Sequence, residues 1–374
     1  MNILGIETSC DETAAAVVRD GREVLSSVVY TQIPLHRPYG GVVPEIASRA
    51  HVEKISPVVG EAMRQAGVNI DAVAVNYGPG LSPALIVGLN AAKGVAKGLG
   101  VPLFGINHIE AHIHSPFLYD AADGVSGAYP DPTAIGPALG LVVSGGNTIW
   151  VDMPEYCRYE VIGETLDDAA GEAFDKASKM LGLGYPGGLK IDRISAAWRA
   201  EAAAGRVPGK ALVPFPKGRP REGVSALAGL SADLCVSYSG LKTALLRHVR
   251  QHPELLESQE GAIDFGGYEV TPAVAHVVAS YQEAIVQAIA DRTRVALGRR
   301  GYGALVLGGG VSLNSRVREV LGGVCKEAGV PLLMAKPKYT GDNGAMVAGL
   351  AFYRGNHVAD AMSLDVDPCL RLGS

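Results

Sequence analysis

The chain is poor in the features that would make its function easy to guess. Its five cysteines, at positions 10, 157, 235, 325 and 369, form no CxxC pair and no regular spacing. That excludes a disulfide framework and a cysteine-based zinc site, and points to reduced thiols. Positive charge is not in excess: 33 Lys and Arg stand against 38 Asp and Glu, a net charge of −5. A strongly basic nucleic-acid binder is excluded, so an RNA partner must be met by a local patch or through another protein. The start, Met1-Asn2-Ile3-Leu4-Gly5-Ile6-Glu7, has no basic n-region and reads as a strand, and the chain has no 18-residue apolar run. A soluble cytoplasmic protein is the expectation. The P-loop pattern GxxxxGK[ST] is missing, which rules out a P-loop NTPase.

What remains is a globular composition, 48% hydrophobic and 19% charged over 374 residues. That is long enough for two domains with their own cores. Glycine is abundant at 48 residues. Seven Gly-Gly pairs occur where chance gives about six, so only their position is informative. Ser144-Gly145-Gly146-Asn147-Thr148 falls between two apolar strands, and Gly308-Gly309-Gly310-Val311-Ser312-Leu313-Asn314 falls between a strand and a helix. Backbone amides in such loops can cradle phosphate or admit a flat base. Neither loop gives GxGxxG after a strand, which argues against a dinucleotide oxidoreductase.

Two segments, Ile3–Val18 and Leu139–Val151, repeat one plan of strand, small polar turn and strand. They predict a duplicated α/β fold with a cleft between the copies. Between them the spacing predicts a strand at Ala72–Asn76, a buried helix at Leu81–Leu99, a strand at Pro102–Ile106 and an interlobe loop over 118–137. Helices are expected at Asp167–Leu181 and Thr271–Leu297, and a strand at Ala304–Leu307. The lobes are placed at 1–134 and 135–374, with an insertion near 199–230. Residues 199–221 carry six Lys or Arg, at 199, 206, 210, 217, 219 and 221, against the single acid Glu201. A solvated linker and an RNA-contacting loop both fit that composition.

Chemistry is concentrated in Asn107-His108-Ile109-Glu110-Ala111-His112-Ile113-His114. His108 and His112 are i and i+4, so one helical turn presents two imidazoles to the same point, as a metal requires. A polar helix face with incidental histidines fits the pair as well. Asp342 precedes an apolar helix, where Asp ordinarily serves as an N-cap. As a third ligand it would complete a His, His, carboxylate set with open positions, suited to Fe(II) or Zn(II).

In combination these residues resemble one family, the tRNA threonylcarbamoyladenosine transferases: bacterial TsaD, formerly called the Gcp glycoprotease. The likeness runs from Ile3 to about Leu350. Its motifs here are Glu7-Thr8-Ser9-Cys10-Asp11-Glu12-Thr13, Val43–His51, Gly78-Pro79-Gly80-Leu81, His108–His112, Val143–Gly146, Asp167–Lys176, Tyr185–Gly188, Ser239–Thr243, Gly309–Asn314 and Asp342-Asn343. The resemblance implies two duplicated lobes of the actin/Hsp70/sugar-kinase-like (ASKHA, ribonuclease H-like) fold. It implies transfer of a threonylcarbamoyl group from threonylcarbamoyl-AMP to the exocyclic amine of adenosine 37 in tRNAs reading ANN codons. It carries His108, His112 and Asp342 over as ligands of one divalent ion, Fe(2+) ahead of Zn(2+). Val142, Val143, Ser144, Gly145 and Gly146 become the phosphate and acyl loop, and Asp175, Gly188, Asp192 and Asn314 the adenylate positions. Asp11 and Glu12 are candidates for catalysis, and TsaB-like and TsaE-like subunits are the implied partners.

Three rival readings differ in what they need. A metallo-endopeptidase needs HExxH, whereas this motif is HxExH, which turns Glu110 off the metal-facing side. A non-catalytic scaffold of the same fold needs no His pair. A small-molecule kinase needs a metal–ATP site and no His pair.

Overall fold

The computed structural model of the chain describes residues 1–120, 122, 130–207, 211–220, 230–257, 259–355 and 361–373. Strands β1 (Asn2–Glu7), β2 (Glu12–Arg19), β3 (Glu23–Thr31), β4 (Ala72–Gly78), β5 (Leu103–Asn107) and β6 (Tyr119–Asp120) form one sheet, in the order β5-β4-β1-β2-β3-β6. A second sheet is built from β7 (Ala138–Val143), β8 (Thr148–Glu155) and β9 (Arg158–Glu164). A small ribbon follows, β10 (Ile263–Asp264) with β11 (Glu269–Val270). Then β12 (Ala304–Gly308) and β13 (Leu332–Met334) complete the second sheet, in the order β13-β12-β7-β8-β9.

The two sheets repeat one plan. In each, three consecutive strands form an antiparallel meander, β1-β2-β3 and β7-β8-β9. In each, two parallel strands extend it beside the first strand, β4 and β5 or β12 and β13. This is a duplicated α/β architecture, the second sheet repeating the strand order and directions of the first. Burial follows strand position. β1 and β7 are buried almost throughout, as a central strand covered on both faces must be, while β3 has several exposed or half-buried positions.

Helices Pro44–Ala66 and Ser82–Leu99 cover the first sheet. Each carries Pro in its first turn and stops at a left-handed glycine, Gly67 or Gly100. The helix expected to be buried at Leu81–Leu99 is buried along one stripe only, including Ala84, Leu85, Leu89 and Ala92, while Ile86 is exposed. It lies on a sheet face, so its outer side meets solvent. The loop expected over 118–137 begins with β6, which pairs with β3; its residues 121 and 123–129 lie outside the described ones.

Helix Gly344–Arg354 packs on the first sheet, sharing a core with Ile3, Ala16, Val18, Ala72 and Ala74. A cut at 134/135 separates the two sheets, but the chain then crosses back to finish the first core. Helix His108–His114 lies at the junction. Its Ala111 joins that core, while Ile109 and Ile113 join Val142, Val151 and Val306 of the second sheet. No helix among the described residues is long and apolar enough to cross a membrane.

Candidate metal centre and nucleotide cleft

Asn107 caps the histidine helix, its side-chain oxygen accepting from the N–H groups of Ile109 (2.9 Å) and Glu110 (3.3 Å). The cap fixes where the turn starts, and all seven helical residues are buried. His108 Nε2 then lies 3.6 Å, and His112 Nε2 3.1 Å, from Asp342 Oδ1. The ligand atoms of the three lie within 4.8 Å of one another. Asp342 is free for this position because the N-cap duty falls on its neighbour: Asn343 accepts from Met346 N at 3.0 Å.

The donor set fits a cation. His112 is fully buried, and neither ring nitrogen has a hydrogen-bond partner among the described residues, Nε2 approaching Asp342 Oδ1 at 3.1 Å. An unsatisfied buried polar group costs about 1–3 kcal/mol, which an ion at this point would offset. The local field points the same way. Burial opposes charge on His108, but Asp342 and Glu7 outweigh it and push the imidazole up to about 9. Burial also opposes ionisation of Asp342, but His108 and His112 draw it down to about 2. Burial, then the Asp11 and Asp342 carboxylates, push Glu12 up to about 10. Negative charge is concentrated here in a way that a bound cation relieves.

Glu7 is a supporting residue that sequence reasoning did not single out. It ends β1 fully buried, with Oε2 3.2 Å from His108 Nδ1 and accepting from Asn76 Nδ2 at 2.9 Å, while Oε1 accepts from Ser9 N. The signal was an acid closing an otherwise apolar strand. A carboxylate behind a ligating imidazole fixes its ring orientation and raises its basicity. Glu7→Gln is therefore expected to weaken metal binding by about 10–100-fold, read by chelator competition on the metal-free protein. Unchanged affinity would remove Glu7 from this role. Glu110, in contrast, bonds Arg354 and Gly373 N, facing away from the histidine pair.

Asp342 and His108 open into a cavity of about 480 Å³ that is also lined by Asp11, Glu12, Ser144, Gly145, Gly146 and Gly310. The hairpin turn is closed on itself: Ser144 N donates to Asn147 O (2.8 Å) and Asn147 N to Ser144 Oγ (3.1 Å). Gly145 and Gly146 are thereby left exposed. Val142 and Val143 are fully buried in β7, so only their backbone is available to a ligand.

The remaining predicted positions lie on the second lobe and mostly hold one another. Asp175 Oδ1 accepts from Gly187 N at 2.6 Å and so fixes the turn before Gly188. Burial pushes this carboxyl up, against the pull of the Gly187 and Gly188 amides. Asp192 accepts from Ser315 Oγ (2.8 Å) and from Gln282 Nε2 (2.9 Å). Asn314 caps helix Ser315–Ala328 through Arg316 N and Val317 N, both at 3.1 Å, and also accepts from Gln282 Nε2 at 3.2 Å. Its own Nδ2 is buried without a partner, a donor left for a ligand. Gln282, fully buried and bridging Asp192 to Asn314, carried no sequence signal.

The family model for TsaD, tRNA N6-adenosine threonylcarbamoyltransferase, matches residues 23–349. A protein named tRNA N6-adenosine threonylcarbamoyltransferase from Anaeromyxobacter sp. (strain Fw109-5) is 45% identical over 379 residues, covering 100% of each chain. One of the same name from Clostridium perfringens (strain SM101 / Type A) is 42% identical, covering 99% of this chain and 98% of that one. Among solved structures, component A of (R)-2-hydroxyglutaryl-CoA dehydratase from Acidaminococcus fermentans is 11% identical, with a TM-score of 0.49 over 95% of this chain and 98% of that one. The chain belongs to the tRNA N6-adenosine threonylcarbamoyltransferase family.

Proposed function

We infer that this chain transfers a threonylcarbamoyl group from threonylcarbamoyl-AMP to the exocyclic amine of adenosine 37 in tRNAs reading ANN codons. Family membership supports the reaction class. The observation that carries the reading here is the shared cavity: His108 and Asp342 open into the same space as Gly145, Gly146 and Gly310. An ion bound by His108, His112 and Asp342, iron(II) before zinc(II), supplies Lewis-acid polarisation of the donor carbonyl.

The chain's own groups do the rest. The amides of the Ser144–Gly146 turn meet the donor's phosphate. Asp175, Asp192 and the unpartnered Asn314 Nδ2 meet its ribose and base. The adenosine amine forms the new C–N bond, the acyl–oxygen bond to phosphate breaks, AMP leaves, and the amine proton passes to a carboxylate in the cavity. Asp11 and Glu12 are the candidates for that proton; Glu12, pushed up to about 10 by burial and its acidic neighbours, could take it only where a bound cation draws it down. TsaB-like and TsaE-like subunits and a cytoplasmic setting complete the reading.

The metallo-endopeptidase alternative loses its base, because Glu110 is tied to Arg354. A scaffold subunit would have no use for an ion-ready His, His, Asp cluster, and a kinase of this fold would have no use for the histidine pair. The deciding experiment is mass spectrometry of tRNA nucleosides after incubation of metal-loaded protein and partner subunits with a threonylcarbamoyl-AMP source. Threonylcarbamoyladenosine is the expected product, and its absence would overturn the reading.

A further inference from the structure

Of the basic residues at 199–221, two are taken up by the fold. Arg199 is half-buried and donates to Gln282 Oε1 at 2.8 Å. Arg206 is held by Glu201 through bonds of 2.6 and 2.8 Å. Lys210 and Arg221 lie outside the described residues. Lys217 and Arg219 remain, exposed and without an ion pair among the described residues.

A different element supplies the missing charge. Residues 211–220 run beside helices Ser239–Gln251 and Pro272–Leu297, pinned by Val213 N to Ser280 Oγ (3.1 Å) and Ser237 N to Gly218 O (3.0 Å). Arg219 and Arg247 thereby face one pocket of about 370 Å³, with Ser237, Ser239, Gly240 and Thr243 on its wall. Arg247 is exposed and, like Arg219, has no ion pair among the described residues. Gly240 sits in the first turn of a 13-residue helix, where the N–H has no acceptor within the helix. A Cβ there would meet nothing within 4 Å, so that amide is approachable.

A third guanidinium adds to the field. Arg292 is 5% exposed and donates only to carbonyls, among them Gly218 O (2.9 Å), Cys235 O (3.0 Å) and Lys217 O (3.2 Å). No carboxylate among the described residues hydrogen-bonds with it, though the neighbouring Asp291 charge partly offsets its own behind the segment that carries Arg219. The opposing groups are Asp167, which accepts from Ser237 Oγ, Tyr238 N and Ser239 N at the helix start, and, in an adjoining pocket, Asp291 and Asp233, which are paired with Arg294 and Arg299. The pocket wall itself holds the two guanidinium groups of Arg219 and Arg247 and no carboxylate, which leaves it cationic.

We propose that the pocket between Arg219 and Arg247 receives a phosphodiester of the tRNA substrate, outside the cavity that holds the metal ligands. The inference rests on the tRNA reading above and names where this chain grips the RNA. Arg219, Arg247, Ser239 and the Gly240 amide supply the contacts. They carry no sequence information about the bases, so they set affinity and register and leave the chemistry to the cleft.

The test is a salt titration of tRNA binding, with steady-state modification kinetics, on the parent and the double variant Arg219→Gln/Arg247→Gln, with partner subunits present. Loss of this one phosphate contact is expected to flatten the log–log salt slope by about 0.7–0.9. KM for tRNA is expected to rise by roughly tenfold or more, with kcat at saturating tRNA unchanged. Parent and variant with the same slope and KM would overturn the pocket. So would a variant that loses binding of inorganic phosphate or of an acidic peptide while keeping the parent's tRNA slope, because the site would then serve a small anion or a protein. An inactive parent overturns the transferase reading, whereas an active parent with an unaffected variant overturns the pocket alone. Both side chains are exposed, so the variant is expected to melt with the parent.

Discussion

His112→Ala protein is expected to lose most of its bound metal and the thermal stabilisation that metal confers. The set is three side chains, with ligand atoms within 4.8 Å of one another. Removing one leaves a pair, so the loss should exceed the roughly 10–100-fold attached to disturbing a mere outer partner. Binding to the native state stabilises by about 2.7 kcal/mol at an ion concentration a hundred times Kd. Added metal should therefore raise the melting temperature of the parent and leave that of the variant nearly unmoved. Folding itself should survive, because Asn107 still caps the helix and Ile109, Ala111 and Ile113 still pack into the two cores. The metal-free variant also loses an imidazole whose two nitrogens have no hydrogen-bond partner among the described residues, which partly offsets the cavity it leaves. A variant with full metal content and the parent's metal-induced shift would sink the ligand assignment.

The duplicated fold was legible because its signal is local: strand, small polar turn and strand recur at Ile3–Val18 and Leu139–Val151. The return of Gly344–Arg354 to the first sheet was not, because an apolar helix packs equally well on either sheet and only tertiary contact decides. Helical periodicity gave the His108–His112 face outright. It could not tell Asp342 from an N-cap. The structure separates the two by giving the cap to Asn343, whose side chain reaches Met346 N. Glu7, Asn76 and Gln282 were missed for one reason: each acts through a partner far away in the chain, at His108 or Asn314. The basic run is a different case. Composition over 199–221 shows Glu201 but not that it holds Arg206, and Gln282, which takes up Arg199, lies far along the chain.

Two adjacent glycines should give opposite results when substituted, and the contrast isolates the nucleotide cleft from the fold. Gly309 has φ +88, and a Cβ there would lie 2.4 Å from Val143 O. Gly309→Ala therefore forces β12 away from β7 or strains the turn, a penalty of about 1–3 kcal/mol for the backbone conformation alone. Its melting temperature should fall. Gly310 has no such constraint: its φ is outside the left-handed region, and a Cβ would meet nothing within 4 Å. Gly310→Leu should still fold and melt close to the parent, because this half-buried glycine has open space in its Cβ direction. Yet Gly310 lines the cavity with Gly145, Gly146 and Asp342, so a leucine there occupies the space assigned to the adenylate. Affinity for AMP, measured by calorimetry, is expected to drop by about tenfold or more, equivalent to about 1.4 kcal/mol. Metal content should stay at the parent's level, because His108, His112 and Asp342 keep their positions. A Gly310→Leu protein that folds normally and binds AMP like the parent would show that the adenylate lies elsewhere than in this cavity.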